Sequence, residues 1–144
     1  MANKVDIKQK YKQTLLNLRH RPKYINLPIL EVILKNLDTG NTDIKAREFK
    51  IDTGADISVI NGVYKTLIEN LKPVDELYLK YGGGSGKYYP VYRLGIIVKG
   101  KELQILAVYD EQCPYLLLGH YEFMENMTYN LFHSTRKESR LVLS

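Results

Sequence analysis

The sequence alternates short apolar runs with turn clusters, and this succession limits the fold more than any other feature. The runs are rich in β-branched, leucine and tyrosine residues, and Gly, Asp, Asn and Pro separate them. Many short strands joined by turns predict an all-β domain that is closed or sandwiched. The length of 144 residues suits one such domain. We predict strands at residues 24–36, 44–51, 57–60, 75–81, 87–98, 102–109, 128–133 and 139–143.

Helical patterns are few. Residues 6–20 have a partial apolar stripe and end before Arg21 and Pro22, which predicts a short N-terminal helix. Residues 62–70 are expected to form a helical turn, and residues 120–127 a short helix. We therefore expect one or two short helices beside the strands of the domain.

Positive charge is concentrated at the N-terminus. Residues 1–23 hold seven Lys and Arg and one acid, whereas the other 121 residues hold 14 basic and 15 acidic residues. We therefore divide the chain into a basic arm, residues 1–23, and a domain, residues 24–144. The arm is a candidate contact for nucleic acid, an acidic partner or a membrane surface, although a solvated helix or a frayed tail explains it more simply. The domain has no basic patch interleaved with aromatic residues, so nucleic-acid binding as the main function is disfavoured.

Composition excludes several other classes. No run of 18 apolar residues could span a membrane, and the N-terminus lacks the apolar segment of a secretory signal. The single cysteine, Cys113, excludes an internal disulfide and a cysteine-based zinc site. The three histidines have no metal-ligand spacing, so we expect neither a metal nor another cofactor. A cytoplasmic location fits this composition best.

The most informative residue is Asp52, which stands at a turn between two apolar strands. Gly54 permits the tight bend. A carboxylate held at the mouth of a core is costly unless it is hydrogen-bonded or protonated, and such a cost often marks a working group. A hairpin turn with a solvated Asp is the simpler alternative. A second Asp-Thr-Gly at residues 38–40 is followed by polar residues, so we interpret it as a loop.

Three stretches together resemble the retropepsin-like aspartic proteases. Residues 51–60, Ile-Asp-Thr-Gly-Ala-Asp-Ile-Ser-Val-Ile, are similar to the active-site signature of that family. Residues 81–86, Tyr-Gly-Gly-Gly-Ser-Gly, resemble its glycine-rich flap tip, and residues 116–120, Leu-Leu-Leu-Gly-His, its apolar segment before a C-terminal helix. The stretches occur in the family's order and span about residues 24–143. The resemblance implies an all-β, closed acid-protease barrel.

The resemblance also implies roles for particular residues. Asp52 would be catalytic, and the Thr53 hydroxyls would join the two active-site turns of a dimer. Gly54 would offer its carbonyl to substrate, and Asp56 would bind the substrate backbone. The remaining substrate-binding residues would be Ala55, Tyr81, Gly82, Gly83, Gly84 and Leu117. Local turn capping is an alternative role for Thr53 and Asp56, and an ordinary edge-strand position is an alternative for Tyr81.

The expected chemistry needs two carboxylates. When two carboxylates share one proton, the ionised group takes a proton from water while the neutral one supports the carbonyl oxygen; aspartic proteases are the standard example of such a pair. The chain offers one credible Asp-Thr-Gly and is about half the size of a two-lobed enzyme, so a second copy would supply the other Asp52. We therefore expect a homodimeric aspartic endopeptidase that hydrolyses extended peptides under glycine-rich flaps.

Three alternatives stay open. A catalytically weak retropepsin-like module could dimerise or bind peptides without turnover, because a fold does not fix function. Cys113 and His120 could form a nucleophile and base, although nothing supplies an orienting partner. The arm could bind nucleic acid, which would give a steep salt dependence. One departure from the family is His120, since viral retropepsins often have Arg there, and a pair between His120 and Asp56 is one candidate contact.

Overall fold

The computed structural model of the chain describes residues 5–8, 10–16, 19–20, 23–80, 85–131 and 139–143. These residues are mostly strands. The strands are β1 (Val5–Lys8), β2 (Lys10–Leu16), β3 (Lys23–Lys35), β4 (Arg47–Ile51), β5 (Ser58–Ile60), β6 (Asp75–Leu79), β7 (Lys87–Val98), β8 (Lys101–Tyr109), β9 (Leu117–Leu118), β10 (Met127–Leu131) and β11 (Ser139–Leu143).

Six strands close into a barrel. Hydrogen bonds join them in the order β3, β4, β9, β5, β8 and β7, and β3 pairs again with β7 to complete the ring. Closure removes the free edges that an open sheet would leave. Two further strands extend the sheet, with β2 on β3 and β6 on β7. The prediction of an all-β closed barrel is confirmed.

The barrel interior is filled by alternate residues of its strands. Side chains of a strand point to opposite faces in turn, so every second residue can enter the core. On β3, Leu30, Val32 and Leu34 are buried, and Phe49 and Ile51 follow the same rule on β4. The apolar residues that predicted strands in the sequence are therefore the residues that fill the barrel.

The strand β9 is two residues long, yet it decides the layout of the candidate site. It lies between β4 and β5, parallel to β4 and antiparallel to β5. Lys50 is opposite Leu117 in one pairing, and Val59 is opposite Leu117 in the other. This insertion brings the turn after β4 against the segment that follows β9.

The helical predictions have different outcomes. A 3-10 turn at Gly62–Tyr64 lies where a helical turn was predicted at 62–70, and a single 3-10 turn at Met124–Asn126 lies where a short helix was predicted at 120–127. The helix predicted at residues 6–20 is wrong, because this segment forms β1 and β2. Seven residues of β2 pair with β3, and these backbone hydrogen bonds outweigh the weak helical pattern. The division into an arm and a domain at residue 23 stays a prediction.

Strand β1, near the N-terminus, and strands β10 and β11, near the C-terminus, form a separate sheet of three strands. The hairpin predicted near the C-terminus is formed by β10 and β11, and β1 pairs with the other side of β11. Residues 132–133, which were included in this prediction, lie outside the described residues. In the part of the chain that the structure describes, no helix is long and apolar enough to cross a membrane.

Candidate active site

Asp52 begins a tight turn at the end of β4. Its backbone N–H donates to the Leu118 carbonyl at 3.0 Å, which continues the pairing of β4 with β9. Its own carbonyl accepts from the Ala55 N–H at 3.1 Å. The carboxylate turns back into the loop, where Oδ1 accepts from the Gly54 N–H at 2.9 Å. The Asp52 side chain is thus half-buried and held by its own turn.

The segment after β9 holds the other side of this turn. The His120 N–H donates to the Ala55 carbonyl at 3.0 Å, and the Tyr121 N–H donates to the Asp56 carbonyl at 2.8 Å. Just before them, the Gly119 N–H donates to the Ser58 hydroxyl at 3.0 Å in a buried position. These three bonds fix the turn of residues 52–57 against the segment of residues 119–121.

Gly119 is required by the closeness of this contact. A Cβ added there would lie 2.6 Å from the Ile57 carbonyl carbon and 2.8 Å from the Ala55 carbonyl oxygen. Both neighbours are backbone atoms, so neither can move aside by changing a rotamer. The glycine of the Leu-Leu-Gly segment therefore allows the two backbones to approach.

The imidazole of His120 reaches the turn as well. Nε2 lies 2.7 Å from the Thr53 carbonyl oxygen, and a carbonyl only accepts, so Nε2 carries the hydrogen. The candidate pair of His120 with Asp56 is not what the structure has, since no ion pair joins these two residues in the described part of the chain. The imidazole contacts the backbone of the turn, and the carboxylate of Asp56 is exposed.

A groove of about 740 Å³ opens beside the turn. Four of the predicted site residues line it, namely Asp52, Ala55, Asp56 and Leu117. Thr53 and Gly54 belong to the turn, but they are exposed and lie outside the groove wall. Tyr81, Gly82, Gly83 and Gly84 lie outside the described residues.

Most of the groove wall was not predicted from the sequence. The additional lining residues are Ile57, Val59, Asp75, Glu76, Leu77, Tyr78, Leu79, Val91, Leu106, Cys113, Tyr115 and Tyr121. Most are apolar or aromatic, as is usual for the lining of ligand-binding grooves. Tyr115 and Tyr121 flank the Leu-Leu-Gly segment in sequence, and that proximity was the available signal. The residues of β6, β7 and β8 reach the groove only through strand pairing.

The charge of the groove is negative where the structure describes it. Its lining includes four carboxylates, Asp52, Asp56, Asp75 and Glu76, and no Lys or Arg among the described residues. Lys50 lies behind one wall, with Nζ 3.7 Å from the centre of the Tyr115 ring. Burial lowers the pKa of Lys50, nearby Lys12 lowers it further, and Asp52 opposes both.

The alternative sites do not assemble. Cys113 lines the groove, but within the described residues no hydrogen bond joins it to His120. The second Asp-Thr-Gly is a loop, as predicted, in which the Asn36 side chain accepts from the N–H groups of Asp38 and Thr39. No three His, Cys, Asp or Glu side chains in the described part of the chain are grouped so as to hold a metal ion.

Comparisons with known proteins give matches among solved structures only. No protein-family model and no curated protein matches the chain. A retropepsin-like aspartic protease from Rickettsia conorii has a similar structure, with a TM-score of 0.61 over 98% of this chain and 93% of that one, at 12% identity.

Two viral proteases resemble a smaller part of the chain. The Simian Foamy Virus (mac) protease gives a TM-score of 0.43 at 22% identity over 64% of this chain and 87% of that one. EIAV protease gives 0.42 at 21% identity over 65% of this chain and 82% of that one. The likeness to the Rickettsia protein spans nearly both chains, and it shows that this chain has the fold of the retropepsin-like aspartic proteases.

Proposed function

We propose that the protein is an aspartic endopeptidase that acts as a homodimer. The observation that carries this proposal is the Asp52 carboxylate, which lies in the groove wall and accepts a hydrogen bond from the Gly54 N–H. A donor to a carboxylate favours its charged form, and one charged carboxylate is what the activation of water requires. The fold supports the general class of the protein.

The mechanism would use one Asp52 from each of two chains. The ionised carboxylate removes a proton from water as the water oxygen attacks the peptide carbonyl carbon. The neutral carboxyl group donates a hydrogen bond to the carbonyl oxygen as negative charge develops there. The proton then passes to the leaving nitrogen as the C–N bond breaks. A two-fold axis is the simplest arrangement that brings one residue against its own copy.

The proposed substrate is an extended peptide with apolar side chains near the cleaved bond. The apolar and aromatic lining of the groove supports this preference. Ala55, Asp56 and Leu117 would contact the peptide, and the Gly54 carbonyl would accept from its backbone. Residues Tyr81, Gly82, Gly83 and Gly84 would form a glycine-rich flap over it, and Thr53 would link the two turns. We propose no metal or other cofactor for this reaction, and a cytoplasmic location stays a prediction.

The Asp52→Asn variant tests the proposal. It keeps the size of the side chain and an oxygen for the Gly54 N–H, but it removes the ionisable group. We expect peptide-library cleavage, followed by mass spectrometry, to fall at least about a thousandfold, because the water then has no base. Sedimentation should show the same dimer as the wild type.

The matched control is Asp38→Asn, because Asp38 is exposed in the other Asp-Thr-Gly. This variant should cleave peptides like the wild type. If the wild type and Asp52→Asn bind peptides equally and neither cleaves them, the protein is a peptide-binding module and the proposed enzyme activity is wrong.

A further inference from the structure

The peptide group between Thr53 and Gly54 is held at both ends by side chains. Its N–H, on Gly54, donates to Asp52 Oδ1 at 2.9 Å. Its carbonyl, on Thr53, accepts from His120 Nε2 at 2.7 Å. The three groups therefore form one continuous chain of hydrogen bonds, from the imidazole through the peptide group to the carboxylate.

We propose that His120 is a positioning residue that acts on the Asp52 carboxylate through this peptide group. The inference rests on the proposed function, in which Asp52 is the catalytic carboxylate. His120 lies outside the groove wall, so it acts through the turn and has no direct contact with a bound peptide.

The exposure of the turn explains why a side chain is needed there. Within a single chain Thr53 and Gly54 are both exposed, so the chain's own core packing does not orient the peptide group between them. The backbone of residues 120–121 holds Ala55 and Asp56. Among the described residues, His120 Nε2 is the one donor to the Thr53 carbonyl. The bond from the Ala55 N–H to the Asp52 carbonyl closes the turn around this peptide group, and His120 adds the side-chain restraint on its carbonyl. Without that restraint, we expect the Gly54 N–H to be directed less well toward Asp52.

The same contact also has an electronic effect. A donor on the carbonyl oxygen polarises the peptide group, which makes its N–H a stronger donor at the other end. The stronger N–H favours the charged form of the Asp52 carboxylate. The neutral Nε2–H tautomer and the imidazolium both donate this bond.

Several charged groups lie on the segments that form this chain of hydrogen bonds. Asp52 and Asp56 lie on the turn, and Lys50 lies on the strand before it. The segment of His120 carries Glu122 and Glu125, where the Glu125 N–H donates to the His120 carbonyl. Glu122 is paired with Arg93 from β7. None of these groups is altered in the variants used below, and both variants lack the imidazole, so a difference between His120→Ala and His120→Gln reports the hydrogen-bond donor and not a change of charge.

Two substitutions of His120 test the proposal. His120→Ala removes the donor. We expect kcat to fall about tenfold, which corresponds to the free energy of about one lost hydrogen bond. We expect KM to change less than about twofold. The acid limb of the pH–rate profile should move to higher pH, because the charged carboxylate is less favoured. His120→Gln supplies an amide N–H at similar reach and should restore most of kcat and the position of the limb. His20→Ala, which alters an exposed histidine of the arm, is the control and should leave both unchanged.

A second measurement does not depend on cleavage. The carboxyl titration of Asp52 can be followed by carbon-13 NMR in the wild type and both variants, with thermal unfolding as a check on folding. The two Asp52 carboxyl groups of a dimer titrate as a pair. We expect the apparent midpoints of the pair to move to higher pH in His120→Ala and to lie at lower pH in His120→Gln than in His120→Ala. An unmoved midpoint, or a loss of kcat that Gln does not restore, would overturn the inference. Absence of cleavage by the wild type would instead count against the proposed function, and the NMR titration would still decide the role of His120.

Discussion

Tyr64 buries a phenol that has no hydrogen-bond partner among the described groups. Only 1% of the residue is exposed, and its ring packs 6.2 Å from that of Phe49, centre to centre. Burial raises the pKa of Tyr64, nearby Asp43 adds to the rise, and Arg47 opposes it. The hydroxyl therefore stays neutral in the folded protein at pH values where it ionises in the unfolded chain.

This shift predicts how stability depends on alkaline pH. A group with a raised folded pKa contributes its stability below its unfolded pKa and loses it as pH rises. We expect the free energy of unfolding to fall above about pH 10, where the unfolded tyrosine ionises. Tyr64→Phe should show a smaller fall, and at pH 7 it should be as stable as the wild type or up to about 1 kcal/mol more stable. Urea denaturation between pH 7 and 11 measures both effects.

The control for this prediction is Tyr24→Phe, since 63% of Tyr24 is exposed. It should leave the alkaline loss of stability unchanged. A loss of more than about 1 kcal/mol at pH 7 in Tyr64→Phe would contradict the prediction, because it would mean that the hydroxyl makes a stabilising bond.

At the site, sequence reasoning found the residues that belong to local motifs. Asp52, Ala55 and Asp56 lie in one turn, and Leu117 belongs to the Leu-Leu-Gly segment. The contact of His120 with the Thr53 carbonyl was not found, because it joins residues 67 positions apart and involves a backbone atom. Side-chain types in a sequence do not reveal which backbone carbonyl a histidine will reach.

At the scale of elements, the long strands of the barrel were predictable because each is a run of apolar and β-branched residues bounded by turn residues. The predictions at 24–36, 87–98 and 102–109 agree with β3, β7 and β8 within one residue at each end. The segment of β2 has no such clear pattern. Tyr11 and Thr14 are half-buried while Leu15 is exposed, so its apolar residues do not mark a buried face. Pairing with β3 decides its structure, and that pairing is a tertiary contact outside the reach of local pattern.

Two ion pairs differ in how much of their side chains is exposed to solvent, and they should therefore differ in strength. Lys12 of β2 meets Glu48 of β4 across β3 at 3.0 Å, with side chains 60% and 46% exposed. Arg47 meets Asp43 at 2.6 Å, with side chains 26% and 10% exposed, and the guanidinium also lies over the Tyr64 ring. Water and salt screen the first pair much more than the second.

We expect denaturation experiments to give the two pairs different contributions to the free energy of unfolding. Double-mutant cycles with alanine should give the Lys12–Glu48 pair less than about 0.5 kcal/mol, and less still at high salt. Asp43→Ala should cost about 2 kcal/mol, because it leaves Arg47 partly buried without its acceptor. If Glu48→Ala lowers the free energy of unfolding as much as Asp43→Ala does, or more, then exposure does not control the strength of these pairs.

At the scale of the whole molecule, the groove of the closed barrel holds one carboxylate that stands in an Asp-Thr-Gly turn, Asp52. The second Asp-Thr-Gly is a loop held by Asn36, so it cannot supply a partner for Asp52. In the proposed mechanism, the carboxylate that shares a proton with Asp52 therefore comes from a second copy of the chain. Activity should then depend on how the chains are paired.

Mixing wild-type protein with the Asp52→Asn variant tests this dependence. After subunit exchange at equal concentrations, random pairing leaves only wild-type pairs with two carboxylates, so the rate should be about one quarter of that of an all-wild-type sample at the same total concentration. A chain that acts alone would keep about one half, because each wild-type copy would work independently. Varying the mixing ratio separates a quadratic dependence on the wild-type fraction from a linear one. Mixing with Asp38→Asn should leave the rate unchanged, and a linear decline with Asp52→Asn would rule out a centre that two chains share.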